Sequence, residues 1–313
     1  MTEVLKGEDA LAERGPCVVT VGAFDGVHLG HQAILSATRD EARARGVASA
    51  ALTFHPHPAA ARGDTGFRYL VSLEDRLELL GRYGMDVVRV MDFTSETAAT
   101  EAERYVREVI VGVLGARCAV VGPTHRFGRG GTGDVQLLRS LGAELGLDVR
   151  VVEQTLHDGA VVSSSRIRAA IMLGDVGSAC EMLGRPVTVE GPGVTGFARG
   201  RKLGFPTANL IVPEDRVAPA PGVYAGLAKV PAGIYPAGIH IGPVPTYGSD
   251  EPSVEAHLLG FDGDLVGARI VLGFLRRIRR VERFASESEL AARIQADLRH
   301  VREEAARTPF TLA

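Results

Sequence analysis

Two histidines three residues apart, His28 and His31, end the run Gly22-Ala23-Phe24-Asp25-Gly26-Val27-His28-Leu29-Gly30-His31. Residues 17 to 25 are apolar and close in a glycine turn, and the Ala-, Leu- and Arg-rich stretch from about Leu29 to Arg45 stops at Gly46. That order reads as strand, turn and helix. Residues at i and i+3 share a helix face, and a helix N-terminus offers free N–H groups and a positive dipole end to an anion. Two imidazoles placed there bind nucleotide phosphates and stabilise charge on a phosphate being transferred. Gly30 lets the phosphates approach the backbone. Helix capping is the plainer use of two histidines taken alone; the strand–turn–HxGH setting favours phosphate.

Two further stretches carry chemistry. Ser163, Ser164 and Ser165 with Arg166 and Arg168 open an apolar helix, which is an N-cap signal by itself. Beside HxGH in one domain, the same hydroxyls, N–H groups and guanidinium make a phosphate cradle. In Gly200-Arg201-Lys202-Leu203-Gly204-Phe205-Pro206-Thr207-Ala208-Asn209-Leu210, glycines and Pro206 forbid a helix, so a shaped loop enters a strand. Thr207 and Asn209 alternate onto one side of it. They supply neutral oxygens suited to Mg²⁺ that keeps its nucleotide phosphates and waters; a turn with solvated polar residues is the bland alternative.

These groups need elements to hold them. With 45% hydrophobic residues over 313 positions, the chain has material for about two globular domains. Val47 to Phe54 reads as a buried strand, closed by the stiff loop His55-Pro56-His57-Pro58. Helices near 72–83 and 98–113 alternate with strands at 86–91 and 117–122. A helix near 134–145 precedes a strand around 148–153, and a helix from Ser164 to about Leu173 ends this half. Strand alternating with helix predicts a parallel sheet covered on both faces. After Leu183 the texture changes to short β-branched runs between turns (187–190, 222–229, 237–241, 253–261 and 268–274), then a helix over 286–306. That predicts a small antiparallel barrel with a closing helix. The division is 1–183 and 184–313.

A net charge of −3 gives no footprint for nucleic acid or anionic membrane. No apolar run reaches spanning length, and the acidic start does not read as a signal peptide. Cys17, Cys118 and Cys180 match neither a disulfide framework nor a metal spacing, which predicts thiols in a reducing cytoplasm. Gly191 to Gly196 matches GxGxxG, but the residues that follow cannot form the helix this fingerprint needs. Arg276, Arg277, Arg279 and Arg280 read as a solvated basic face.

In this order, GAFDGVHLGHQ, FHPHP, VVGPTHRFGRGGTGD and VSSSRIR resemble the adenylyltransferase half of prokaryotic bifunctional riboflavin kinase/FAD synthetases. GRKLGFPTANL, PGVYAG, IGPVPTYG and SVEAHLLGFDGDLVGARI resemble the kinase half. The resemblance implies an α/β nucleotidyltransferase domain with a Rossmann-like parallel sheet, then a small antiparallel β-barrel kinase domain with a C-terminal helix. It implies that riboflavin is phosphorylated to FMN, and that FMN attacks the α-phosphorus of ATP to give FAD and pyrophosphate. His28 and His31 would bind phosphate and stabilise the transition state. Gly22, Phe24, Asp25, Gly26 and Gly30 would form the nucleotide loop, and Ser164 and Arg168 would contact the triphosphate. In the kinase half, Thr207 and Asn209 would bind Mg²⁺–ATP, Gly204 and Pro206 would shape the nucleotide site, and Glu255 would be the general base.

Thr124 and Phe127 are the implied flavin contacts, but Thr124 stands where the family has an amide or carboxylate and His125 where it has an aromatic. His240, Val244 and Val266 replace the usual asparagine, arginine and tyrosine. These departures leave three readings open: the bifunctional enzyme, a paralogue with one activity or a modified flavin, and a flavin- or nucleotide-binding regulator without turnover.

Overall fold

The computed structural model describes residues 2–5, 11–195, 205–243, 252–309 and 312. Gly204 and Val244 lie outside the described residues. The chain divides into two compact units, Met1–Ser163 and Ser164–Ala313.

The first unit is built on a parallel sheet of strands β1 (Glu3–Leu5), β2 (Cys17–Val21), β3 (Ala48–His55), β4 (Val87–Asp92), β5 (Ala116–Val121) and β6 (Asp148–Val151), in the order β1-β4-β3-β2-β5-β6. The central strands β2 and β3 are near-continuous buried runs because both sheet faces are covered there, whereas the edge strands β1 and β6 are partly exposed. Val18, Val19, Leu52, Val88 and Val120 are fully buried. Helices α1 (Leu29–Arg45), α2 (Pro58–Ala61), α3 (Leu73–Arg82), α4 (Ser95–Ala99), α5 (Ala102–Arg104) and α6 (Val135–Leu145) connect them. The single helix expected over 98–113 is instead α4, a break at Thr100, and α5 running into a π-helix, Tyr105–Val113. The π-helix buries Tyr105, Val106 and Ile110, an i, i+5 spacing that a short stretch of sequence does not separate from an ordinary helix. The chain places β3 and β4 on one side of β2 and then crosses to β5 on the other. The carboxyl ends of β2 and β5 therefore form a topological switch point, where ligands bind in such sheets.

The second unit opens with α7 (Ser164–Leu173) and α8 (Val176–Leu183); the sequence reading lacked α8. Then comes a closed antiparallel barrel, β10-β13-β12-β11-β14-β9. Its strands are β9 (Val187–Val194), β10 (Ala208–Ile211), β11 (Gly222–Val230), β12 (Gly233–Pro243), β13 (Pro252–Leu258) and β14 (Arg269–Arg279). A short hairpin, β7 (Leu156–His157) and β8 (Ala160–Val161), belongs to the first unit. Val254, Ala256, Ile239, Ile241, Ile270, Leu272 and Phe274 are buried inside the barrel. GxGxxG falls inside β9 and on the residues after it. Gly193 donates to the Ala268 carbonyl and accepts from the Gly267 N–H, tying β9 to the residues just before its neighbour β14.

Helix α9 (Glu287–Arg307) packs on the barrel through Leu298 and Val301. The arginines expected as a solvated face lie at the end of β14 and just beyond, and three of them hold other elements. Arg276 pairs with Glu304 at 3.1 Å, Arg277 donates to the carbonyls of Leu173 and Pro221, and Arg279 pairs with Asp297 of α9 at 2.9 Å. The Arg279 and Asp297 side chains are only 9% and 6% exposed. Removing one partner of such a pair strands a charge. Asp297→Ala should lower barrel stability by about 3 kcal/mol in denaturant unfolding followed at this domain; a loss below about 1 kcal/mol would mean that Glu282, 3.7 Å from Arg279, takes over the charge.

Candidate active sites

The loop after β2 turns through left-handed backbone at Phe24, Gly26 and Val27 (φ 50°, 82° and 37°) before α1 begins. Buried groups hold it there. Arg76 of α3, 2% exposed, donates to the carbonyls of Ala23 (2.7 Å) and Phe54 (3.0 Å), and the Thr53 hydroxyl donates to Ala23. Asp25 is 1% exposed, and its carboxylate accepts the Leu70 N–H at 3.0 Å. That contact makes Asp25 a fastener of the loop. Phe24 is buried and meets His31 edge to face.

His28 is the N-cap of α1, and its Nδ1 accepts the His31 N–H at 3.3 Å. The capping use is therefore realised. It also fixes the ring: a neutral imidazole accepting at Nδ1 carries its proton on Nε2. The His28 and His31 rings stack with centroids 3.6 Å apart. Gly30 permits this, because a Cβ there would stand 3.2 Å from the His28 ring. The Val162 carbonyl lies 3.9 Å from that same point, and two residues later Ser164 begins α7. Arg168 lies one turn along α7, with a long 3.5 Å contact to the Ser165 hydroxyl.

At the carboxyl ends of β2, β3, β4 and β5 lies a cleft of about 610 Å³. Gly22 and Ala23 form one side; Phe54, Phe93, Tyr105, His125 and Phe127 supply ring surface, with Arg62 and Arg126 also lining it. Phe127 is buried, whereas Thr124 is exposed and does not line the cleft. Phe127 and Gly133 exchange both backbone hydrogen bonds, closing the 122–134 loop. Gly128 (φ 73°) is where that loop meets α5: any Cβ would fall 2.5 Å from the Ala102 Cα.

In the barrel, Asn209 of β10 stands opposite Glu255 of β13, and Glu255 opposite His240 of β12. Direct cross-strand partners share a face, so the three side chains form a row outside the barrel while Val254 and Ala256 fill its interior. Burial holds the His240 imidazole below its usual pKa, partly offset by the Glu255 charge. Thr207 is half-buried, and its carbonyl receives the Asn209 amide at 3.5 Å. Thr207, Asn209, Pro206 and Asp264 line a second cleft of about 320 Å³. His257, one pleat beyond Glu255, contacts the Pro206 carbonyl through Nδ1 at 2.8 Å and meets Phe205 edge to face. It holds the entry to Thr207.

The model of the FAD synthetase family matches residues 11–166, and that of riboflavin kinase matches residues 183–305. The bifunctional riboflavin kinase/FMN adenylyltransferase of Escherichia coli K12 is 36% identical over 292 residues, 92% of each chain. The chain belongs to the bifunctional riboflavin kinase/FMN adenylyltransferase family. The Bacillus subtilis member is 33% identical over 291 residues, 91% of each chain. A solved structure titled a macrolide-efflux protein, from Streptococcus pneumoniae, superposes with a TM-score of 0.88 at 28% identity, over 96% of this chain and 98% of that one. Among the described residues no helix is long and apolar enough to cross a membrane.

As a riboflavin kinase/FMN adenylyltransferase, the chain carries both transferases and takes riboflavin, FMN and ATP as substrates. The HxGH histidines meet at one helix N-terminus, and Asn209 meets Glu255 across two strands. Sequence reasoning missed Arg76, His257 and Tyr105. Arg76 and Tyr105 sit inside helical patterns that give no sign of their partners; His257 had a signal, since it shares the outward face of β13 with Glu255.

Proposed function

We propose that adenylyl transfer to FMN takes place on the loop between β2 and α1, and riboflavin phosphorylation on the outer face of the barrel at Glu255. For the first reaction, one observation carries the reading. The same loop walls the ring-lined cleft with Gly22 and Ala23 and caps α1 with His28. A flavin ring in the cleft therefore has its phosphate end near the N-terminal N–H groups that favour anions. Phe127 supports the ring, Arg62 and Arg126 lend positive charge to the phosphate-bearing chain, and a phosphate oxygen of FMN attacks the α-phosphorus of ATP as pyrophosphate leaves. His28, through Nε2, and His31 stabilise the added charge on the phosphoryl oxygens. Gly26 and Phe24 keep the turn, and Ser164 and Arg168 hold the triphosphate. The adenylyltransferase domain then spans 1–183 and the kinase domain 184–313.

In the barrel, Glu255 takes the proton of the terminal ribityl hydroxyl as that oxygen attacks the γ-phosphorus. Thr207 and Asn209 offer neutral oxygens on the cleft wall, a donor set that fits Mg²⁺ retaining phosphates and waters. When bound, the ion neutralises phosphate charge. Gly204 and Pro206 shape the approach of the nucleotide. A cytoplasmic setting agrees with three buried free thiols, Cys17, Cys118 and Cys180.

The test is a time course of riboflavin, ATP and Mg²⁺ with the full-length protein, resolved by chromatography. FMN should rise first and FAD should follow. Riboflavin left untouched while added FMN becomes FAD would remove the kinase assignment, and FMN accumulating without FAD would remove the adenylyltransferase one.

A further inference from the structure

Strand β13 carries Glu255 and, two residues on, His257. Alternate residues of a strand share a face and stand about 7 Å apart, so one rigid element presents both groups outside the barrel. Glu255 serves the ribityl hydroxyl in the reading above. His257 reaches a different part of the site, the loop that leads into Thr207. Its Nδ1 contacts the Pro206 carbonyl at 2.8 Å. A carbonyl oxygen only accepts, so Nδ1–H is the donor, in a neutral ring and a charged ring alike.

The place of this bond along the backbone gives it leverage. Proline fixes its own φ, so the peptide plane between Pro206 and Thr207 turns on one soft torsion, the ψ of Pro206. A donor on the Pro206 carbonyl holds that torsion, and with it the direction in which the Thr207 side chain leaves the chain. The next tie is longer, the 3.5 Å contact of the Asn209 amide with the Thr207 carbonyl. Pairing of β10 with β13 begins only at Ala208, opposite Ala256.

The imidazole is braced in turn. Phe205 meets it edge to face, with ring centroids 5.7 Å apart, and packs against Leu298 and Val301 of α9. Across the sheet His257 is paired with Gly238, where a Cβ would stand 3.1 Å from the Leu298 side chain. The missing side chain at Gly238 therefore lets the closing helix come down beside the ring and the loop that it ties.

We propose that His257 is a positioning residue for riboflavin phosphorylation: its Nδ1–H locks the Pro206–Thr207 peptide, so that the Thr207 oxygen meets the Mg²⁺–ATP phosphates at a set distance from Glu255. This rests on the kinase site lying on this face of the barrel. Because base and lock share β13, the metal loop keeps its register with the base whenever the strand moves.

The experiment uses the full-length protein as wild type, His257→Asn, His257→Phe and Thr207→Ala. Asparagine keeps an N–H donor one bond from Cγ, where Nδ1 stood, and loses the ring; phenylalanine keeps the ring against Phe205 and loses the donor. One readout is riboflavin phosphorylation as a function of Mg²⁺–ATP. The other is amide hydrogen exchange of residues 205–210 without nucleotide, which reports local opening of the loop itself. His257→Phe should raise KM for Mg²⁺–ATP about three- to tenfold, the size of one neutral hydrogen bond, with a smaller change in KM for riboflavin. It should also speed exchange over 205–210, and His257→Asn should restore both readouts most of the way to wild type. Wild-type exchange and wild-type KM in His257→Phe overturn the proposal. So does a His257→Asn variant as impaired as His257→Phe, because ring packing and not the hydrogen bond would then hold the loop. If Thr207→Ala raises KM for Mg²⁺–ATP and His257→Phe does not, the kinase site stands and only the lock fails. If Thr207→Ala also leaves KM at the wild-type value, the site assignment falls with it.

Discussion

Replacing Glu255 by Gln should lower riboflavin phosphorylation by about 10²–10⁴-fold, the usual contribution of a positioned general base, while the same protein converts added FMN to FAD at the wild-type rate. Gln keeps the size and hydrogen-bonding reach of the side chain and removes only its ability to take a proton. The position is supported on both sides, by Asn209 on β10 and His240 on β12. The backbone therefore holds the residue with or without its charge, and a fall in rate reports chemistry. Loss of phosphate positioning would appear as a raised KM for ATP instead. FAD formation in the other half shows that the loss is confined to the kinase reaction, and an unchanged unfolding transition of the barrel is the control for folding. A Glu255→Gln variant that phosphorylates riboflavin within about tenfold of wild type would show that Glu255 is a surface carboxylate of the barrel, which is how it would be read without its neighbours. His240 bears on the same measurement. Burial holds its imidazole below its usual pKa, partly offset by the Glu255 charge, and the strand register sets it directly opposite Glu255.

How legible this was in the sequence depends on how local each signal is. Helix α1, expected from about Leu29 to Arg45, forms over Leu29–Arg45, because glycine turns and caps are encoded within a few residues. The sheet and barrel were legible as alternation of strand and helix, then as short strands between turns. The break within 98–113 was not, because nine residues are too few for the i, i+5 spacing of Tyr105 and Ile110 to stand out from a 3.6-residue period, and the packing of Gly128 on Ala102 at the bend is a long-range contact. The basic run on β14 misled for a similar reason: Arg279 finds Asp297 eighteen residues later, on a helix whose docking face cannot be read from charge. At the sites, motifs supplied the residues and the fold supplied their supports. His28 and Glu255 could be chosen from sequence. Arg76 beneath the turn and His257 beside Pro206 act through long-range contacts to backbone carbonyls, which leave no spacing signature.

The counterpart is His28→Ala, which should cut FAD formation by about 10²–10³-fold, as when one donor to a developing phosphoryl charge is removed, and leave FMN accumulating from riboflavin. This residue has two jobs, so one substitution cannot assign the loss. His28 caps α1 by accepting the His31 N–H, and losing a cap costs about 0.5–2 kcal/mol of stability. With Nδ1 taken up by that bond, a neutral ring carries its proton on Nε2. Asparagine separates the two, since it is among the best N-cap residues but has no imidazole to present at Nε2. His28→Asn should therefore recover the thermal midpoint that His28→Ala loses, while FAD formation stays low. Should Asn restore both, His28 would be a cap and nothing more, and charge stabilisation would pass to His31, whose ring now stacks on it at 3.6 Å. Recovery of stability without activity would tie the imidazole itself to the transfer of the adenylyl group, because stability and rate would then answer to different atoms of one side chain.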